Sequence, residues 1–253
     1  MYIGIKILIA FVVLAATLQG GLPPLLIRIN EKTQRLLFYG ETFSGGIFLG
    51  VGLIHLLPEA QSYLNHSTSS YPLAFAICAF TILVLYVIEE GAYKLISPAS
   101  HESWMVYLLI IVLSIHSFVE GTALGVEVTL PSLLVIFIAI ISHKSAEAFA
   151  LGVKLRHSKM NRVVTIKAMC LFSLITPLGI FLGAELIHVL HQTAGYMAIG
   201  VFDAIAAGTF IYIATFHSSS SHVHENDHTV SVFLKVSAFA LGLVLMAIVA
   251  FWI

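Results

Sequence analysis

The stretches HSFVEGTALGVE (residues 116–127) and HKSAEAFALGVK (residues 143–154) repeat one pattern inside two long apolar runs. Aligned on their histidines, they share His, Glu, Ala, Leu, Gly and Val at the same positions. An ionisable side chain in apolar surroundings is costly unless its charge is paired or binds a metal. A His-x-x-x-Glu pair that occurs twice in such surroundings therefore indicates a functional site more strongly than one buried histidine would.

The composition of the whole chain predicts a polytopic membrane protein. The 253 residues are 59% hydrophobic and only 10% charged, with a mean hydropathy of +0.99, whereas soluble domains carry about 25% charged residues. The net charge of −1 gives no basic excess, which argues against a nucleic-acid partner. Cys78 and Cys170 both lie in apolar runs and supply no disulfide framework.

The apolar runs predict an all-α fold of eight transmembrane helices in one transporter domain, residues 1–253. A bilayer core of about 30 Å needs roughly 20 apolar residues per helix. The second run is the shortest and is predicted to break near Pro58. The first run lacks a basic start and a small-residue cleavage site, so it is interpreted as a span rather than a signal peptide. The predicted spans are 3–27, 42–60, 71–91, 104–126, 131–153, 165–187, 194–216 and 230–253.

Lys and Arg residues in the connectors predict the orientation. Connectors after the second, fourth and sixth spans contain neither residue type, so the odd-numbered connectors are predicted to be cytoplasmic. Both termini are then extracellular or lumenal, with Lys6 as the one exception. The sequon Asn65-His66-Ser67 falls on the predicted outer side, which agrees with glycosylation. The basic connector residues are Arg28, Lys32, Arg35, Lys94, Lys154, Arg156, Lys159, Arg162 and Lys167.

The spacing of the repeated motif predicts a metal site. Residues four apart share one helix face, so His116 with Glu120, and His143 with Glu147, each form a two-ligand edge. The connector at 127–131 is short, so spans four and five are expected to be antiparallel neighbours with both edges near mid-membrane. Imidazole nitrogen and carboxylate oxygen suit Zn²⁺ at about 2.0–2.2 Å. The two carboxylates would also offset the charge of a divalent cation.

The two motifs run in opposite directions through the membrane and so form an inverted repeat, which is typical of transporters with a site at the midplane. Glycines four residues apart favour close helix packing, and each such pair alone is explained by packing. These pairs are Gly46 with Gly50, Gly121 with Gly125, and Gly179 with Gly183.

Other classes of metal protein fit the sequence less well. A di-iron enzyme needs Glu-x-x-His pairs in the bundle core, but Glu185-x-x-His188 ends a span and Glu225-x-x-His228 lies in a connector. The His-Glu-x-x-His motif of metalloproteases is absent from the sequence. We therefore predict that the chain is not an enzyme. A membrane sensor that binds metal without transport stays open, since both functions would use the same ligands.

The repeated motifs resemble the fourth and fifth helices of the ZIP family of zinc and iron permeases. GGIFLGVGLIHLLPEA (45–60), TPLGIFLGAE (176–185) and AAGTFIYIATF (206–216) are similar to the second, sixth and seventh helices of that family. The resemblance implies eight spans, outer termini and transport of Zn²⁺ toward the cytoplasm, in some members of Fe²⁺, Mn²⁺ or Cd²⁺, with no bound cofactor.

The chain departs from the family pattern at the positions that bind a second metal ion in some members. Ser117 and Lys144 stand where those members have metal-binding Asn and Asp, and Thr176 stands for a Glu. A Lys ammonium can occupy the place of that metal and pair with Glu120 or Glu147. One metal is therefore expected rather than two. The pattern resembles the branch with plasma-membrane zinc importers of animals, and a vesicular membrane stays open.

The resemblance also implies a route for the ion. Zn²⁺ is expected to enter near His55 and Glu59 and to leave toward His217, which stands in for a family Glu. Phe48 takes the place of a Met that touches metal in relatives and is not expected to be a ligand. Asp203 lines the pathway or bonds a neighbouring helix. A homodimer is compatible with the sequence, and the histidines near the exit are His222, His224 and His228.

Overall fold

The computed structural model describes residues 2–65, 71–95, 98–158, 160–185, 193–217 and 231–251. In these ranges it contains eight helices long and apolar enough to cross a membrane, which confirms the predicted all-α membrane fold. The eighth helix begins after Ser231, whose side chain accepts a hydrogen bond from the Leu234 N–H. The helices are α1 (Ile3–Leu26), α2 (Glu31–Asn65), α3 (Leu73–Leu95), α4 (Pro98–Val126), α5 (Leu130–His157), α6 (Arg162–Glu185), α7 (Thr193–Tyr212, continued by a π-helical turn Ile213–His217) and α8 (Val232–Ala250).

Helix α2 is longer than predicted because a capping box starts it early. The Asn30 side chain accepts a hydrogen bond from the Thr33 N–H, and Thr33 Oγ1 accepts one from the Asn30 N–H, both at 2.9 Å. The helix therefore begins at Glu31 rather than at residue 42. Its first turns are polar, so hydropathy alone does not mark them.

The predicted break near Pro58 was wrong. The helix continues through Pro58, and a π-helical turn, Val51–Leu56, lies just before it. Within this turn the N–H of Leu57 bonds to the carbonyl of Gly52, five residues back. Proline lacks an N–H and normally interrupts a helix. Here the π turn has already changed the backbone hydrogen bonds from four to five residues back, so the N–H that Pro58 lacks does not end the helix. Such π turns are frequent at functional sites.

The helices form two groups by packing. Helices α1, α4, α5 and α6 pack on one another as the first bundle, and α2, α3, α7 and α8 form the second. Helices α4 and α5 touch, but α4 packs far more extensively on α6, and α5 on α1. The predicted contact between α4 and α5 is therefore limited to the region of the polar cluster.

Glycines allow the close crossing of α4 and α6. A Cβ at Gly121 or Gly125 would overlap backbone atoms of α6, and one at Gly179 or Gly183 would overlap backbone atoms of α4. Helix α1 meets α5 in the same way, where a Cβ on Gly20 would overlap the carbonyl of Ser145. Two of the three predicted glycine pairs thus lie at the packing core of the first bundle, whereas Gly46 and Gly50 lie where α2 crosses α8 in the second.

Lys6, the exception in the predicted orientation, has a structural partner. Its buried ammonium donates a 2.5 Å hydrogen bond to the carbonyl of Gly125, in the last turn of α4. Carbonyls in the last turn of a helix lack partners within the helix. The positive charge near the N-terminus therefore caps α4 from the neighbouring helix α1.

Candidate metal site

The histidine–glutamate pairs of α4 and α5 meet where these two helices touch. Nε2 of His143 lies 2.8 Å from Oε1 of Glu120, and Nε2 of His116 lies 3.7 Å from the same oxygen. One ligand atom from each of these three residues lies within 4.8 Å of the other two. A single cation with bonds of about 2.0–2.2 Å can therefore be reached by all three after small side-chain shifts.

Both imidazoles present an unsatisfied nitrogen to this cluster. Nε2 of His116 and Nε2 of His143 are buried, and neither makes a hydrogen bond within the described part of the chain. Buried polar atoms are normally paired, so these two mark a place for a ligand. Nδ1 of His143 lies 2.9 Å from the carbonyl of Ala139, which only accepts. Nδ1 therefore donates this hydrogen bond, which orients Nε2 toward Oε1 of Glu120, and a cation bound between these two atoms would use the Nε2 lone pair.

The fourth predicted ligand, Glu147, turns toward Lys144 and Ser117. Nζ of Lys144 lies 2.7 Å from Oε2 of Glu147 and 3.2 Å from Oε2 of Glu120. Ser117 Oγ donates to Oε1 of Glu147 at 3.1 Å and accepts from Lys144 at 2.7 Å. The structure thus brings three of the four predicted ligands together and joins the fourth to them through Lys144.

Charge balance explains why these groups can be buried. Lys144 is only 1% exposed and lies over the ring of Phe172 at 5.6 Å. A buried charge is tolerated when ion pairs and hydrogen bonds surround it, as they do here. Two ionised carboxylates and one ammonium leave one net negative charge. The cluster is therefore favourable for an added cation and unfavourable for an anion.

A cavity of about 380 Å³ leads from the cluster toward the ends of the helices predicted to face outward. At liquid density a water fills about 30 Å³, so the cavity can hold roughly a dozen. It is lined by His116 and Glu120 at its base and by His55, Glu59 and Asp203 farther along. His55 and Glu59 lie 3.6 Å apart on one face of α2. These three predicted pathway residues therefore share one aqueous space with the cluster.

Two stacked aromatic rings bound the cluster on the opposite side. Phe48 and Phe210 stack with centroids 5.1 Å apart and planes 7° apart. The Phe210 ring also packs edge-on against His116, at 4.5 Å between centroids. Both phenylalanines are buried, Phe48 on α2 and Phe210 near the predicted cytoplasmic end of α7. Phe210 was missed in the sequence, where it is one of 17 phenylalanines and has no polar group to mark it.

Some predicted residues lie outside the described ones. His217 ends the π-helical turn after α7, but its side chain is not among those described. Asn65 ends α2, whereas the remainder of its sequon falls outside the described ranges. The same is true of the connector histidines, His222, His224 and His228.

Eight spanning helices in two bundles, with a buried His/Glu cluster at the base of a cavity, define a membrane transport protein. The family model described as ZIP Zinc transporter matches residues 3–102 and 92–250. The chain therefore belongs to the ZIP zinc transporter family, as its motifs predicted. Because this is a family of transporters, the prediction that the chain is not an enzyme is also confirmed.

Two relatives named zinc transporters match over most of their length, and a third matches over a shorter region. Zinc transporter ZIP1 from Danio rerio is 28% identical over 267 aligned residues, which cover 88% of this chain and 87% of the relative. Zinc transporter ZIP2 from Homo sapiens is 24% identical and covers 99% and 98%. Protein zntD from Dictyostelium discoideum is 33% identical over 150 residues, 58% of this chain and 21% of its own.

Proposed function

We propose that the chain carries Zn²⁺ across the membrane toward the cytoplasm, with His116, Glu120 and His143 as its first ligands. One observation carries the proposal: two unsatisfied imidazole nitrogens and a carboxylate oxygen converge at the base of a cavity. Nitrogen and oxygen ligands of this kind suit Zn²⁺. The ZIP1 and ZIP2 relatives are named zinc transporters.

The ion enters through the cavity and loses water in steps. His55, Glu59 and Asp203 offer one imidazole and two carboxylates along the wall. Each can replace a water of the incoming ion before it reaches His116. Stepwise exchange avoids the large cost of removing the whole hydration shell in apolar surroundings.

At the cluster, Zn²⁺ binds the two Nε2 atoms and Oε1 of Glu120. Oε2 of Glu120 stays with Lys144, 3.2 Å away. Glu147 completes the coordination by rotating away from Lys144, or a water does so. The ammonium of Lys144 fills the space beside Glu147, so a second cation would meet a positive charge. We therefore propose one Zn²⁺ per chain at this site.

Release follows from a movement of the first bundle against the second. The Phe48–Phe210 stack belongs to the second bundle, whereas His116, Glu120 and His143 belong to the first. A relative shift carries the cluster past the two rings and exposes it on the predicted cytoplasmic side. His217, on the turn after α7, is proposed to receive the ion there.

Two further proposals concern which other metal ions the chain accepts and in which membrane it lies. Imidazole and carboxylate also suit Fe²⁺, Mn²⁺ and Cd²⁺, so these ions are proposed as competitors of Zn²⁺. The resemblance to animal zinc importers supports the plasma membrane. Uptake of radioactive zinc in the presence of each competitor, and surface labelling of the expressed chain, test the two proposals separately.

The main test is initial-rate uptake of radioactive Zn²⁺ into proteoliposomes by the parent chain and by His143→Ala. Uptake is expected in the parent and to fall about tenfold or more in the variant, because a ligand is lost. Ile138→Ala is the control, since Ile138 lies five residues before His143 on the exposed face of α5. Zinc binding by the parent without uptake would overturn transport in favour of a sensor.

A further inference from the structure

An ion pair joins the two bundles on the predicted cytoplasmic side. Nζ of Lys154 on α5 lies 2.7 Å from Oε1 of Glu41 on α2. Glu41 is buried, at 4% exposure. Among the described residues, the Lys154 ammonium is the only donor group found beside Oε1 of Glu41. Oε1 of Glu41 would therefore lose this partner in a shift of one bundle against the other.

The pair lies on the same helix faces as the metal cluster. On α5, Lys154 follows His143 by eleven residues and Glu147 by seven. At 3.6 residues per turn, these three positions fall within about 40° of one another. On α2, Glu41 precedes Phe48 by seven residues, which is also one face. A line along the bundle interface therefore runs from the cluster past Phe48 to the pair.

A small cavity lies along this line. It has a volume of about 20 Å³ and is lined by Phe48 at one end and by Glu41 and Lys154 at the other, with apolar residues between. A single water needs about 10–15 Å³, so there is room for one water and not for a hydrated ion. Around this cavity the described residues leave no wider passage, and the described polar side chains that line it are Glu41 and Lys154.

We propose that Glu41 is a further metal-binding residue of the pathway, beyond the His/Glu cluster, and that Lys154 occupies its carboxylate while the cytoplasmic side is closed. This inference rests on the proposed function. A shift of the bundles separates the two residues, and the freed carboxylate then receives the partly hydrated ion. One carboxylate holds a divalent cation weakly, as a residue on an exit route must.

The test compares two variants that both lack the ion pair. Lys154→Gln keeps the carboxylate, whereas the double variant Glu41→Gln/Lys154→Gln removes it. Full-length proteins are assayed by equilibrium dialysis with Zn²⁺ in detergent and by zinc uptake in proteoliposomes. Because the site is weak, Lys154→Gln is expected to bind more Zn²⁺ than the double variant at high zinc concentrations, approaching one additional ion per chain. Its uptake is expected to exceed that of the double variant about tenfold.

Equal zinc stoichiometry in the two variants would overturn the proposal, because Glu41 would then be only a partner for Lys154. The two proteins share every other residue, so any zinc bound elsewhere cancels in the difference. If the parent shows no uptake but Lys154→Gln still binds the additional Zn²⁺, the transport function fails while the metal site at Glu41 stands. The two proposals therefore fail in distinguishable ways.

A thiol variant gives an independent measurement. In a chain with Cys78 and Cys170 changed to Ser, Glu41→Cys is labelled from the cytoplasmic side with a membrane-impermeant reagent. Zn²⁺ is expected to slow this labelling several-fold. Ser44→Cys is the matched control, because Ser44 lies one turn away on α2 but lines a different groove. Equal protection of both thiols, or none at position 41, would contradict the proposal.

Discussion

Nε2 of His143 and Oε1 of Glu120 lie 2.8 Å apart, although they project from helices that pack mainly on other partners. Helix α5 is held by α1, and α4 is held by α6. The ligand geometry is therefore set by the packing of two outer helices as much as by the α4–α5 contact. Changes far from the cluster should alter zinc binding through this scaffold.

Zinc should stabilise the folded chain through the cluster. At a free Zn²⁺ concentration of 100 times the dissociation constant, binding adds about 2.7 kcal/mol to the free energy of unfolding. The thermal midpoint in detergent is expected to rise with zinc in the parent chain and to fall back on adding a chelator. The shift should disappear in His143→Ala and persist in Ile138→Ala, and an equal shift in both variants would place the zinc elsewhere.

Lys144→Ala should destabilise the metal-free protein strongly. It leaves the carboxylates of Glu120 and Glu147 buried without their ammonium, and removing one partner of a buried ion pair costs about 3–5 kcal/mol. Zinc should restore more stability in this variant than in the parent, because Glu147 is then free to bind the ion. Thermal unfolding with and without Zn²⁺ measures both effects.

Lys167→Ala provides the control for that variant, since Lys167 is exposed on α6. A similar small effect of both substitutions would mean that Lys144 does not compensate the carboxylates.

Gly121→Ala should weaken the first bundle. The added methyl would overlap the carbonyl of Thr176, and overpacking of this kind costs about 1–3 kcal/mol. Because α4 carries His116 and Glu120, the variant should also bind zinc less tightly. Thermal unfolding and zinc titration measure the two effects.

Gly91→Ala is the matched substitution, because a Cβ at Gly91 has no neighbour within 4 Å. Alanine favours a helix over glycine by about 1 kcal/mol, so this variant should be neutral or slightly stabilised. Equal losses in the two variants would rule out the close crossing as the cause.

Phe210→Ala should open the cytoplasmic side of the cluster. It removes the ring that stacks on Phe48 and covers His116, and loss of a buried Phe costs about 3–5 kcal/mol. A cysteine at position 151, which lines the small cavity, should then react faster with a reagent added from that side. Phe181→Ala, on the exposed face of α6, should leave the reaction rate unchanged.

The helix-spacing rule predicted the central pairing because it depends on positions within one helix. His116 and Glu120 share a face by geometry alone, and so do His143 and Glu147. The orientation of Glu147 toward Lys144 depends on side chains of two helices, and the sequence leaves open whether Lys144 pairs with Glu120, with Glu147 or with both. In the structure Lys144 forms ion pairs with both Glu120 and Glu147.

Contacts between distant helices could not be predicted in the same way. Lys154 was assigned to a connector because the apolar run ends at residue 153, yet α5 continues to His157 and turns this lysine toward Glu41. The long aliphatic stem of lysine lets a charged residue extend a helix beyond its apolar run. Its partner on α2 is separated from it by two intervening spans, α3 and α4, and no local pattern joins the two residues.

The glycine crossings make α1, α4, α5 and α6 one tightly locked block, and His116, Glu120 and His143 all project from it. When this block slides along the other four helices, the three ligands keep their mutual distances. In the proposed movement the ion is displaced together with these three ligands, and it passes to groups of the second bundle, such as Glu41, only after the shift. Part of the energy barrier to translocation would then lie in the contact surface between the two blocks, so side chains on that surface should influence the turnover rate in addition to the ligands.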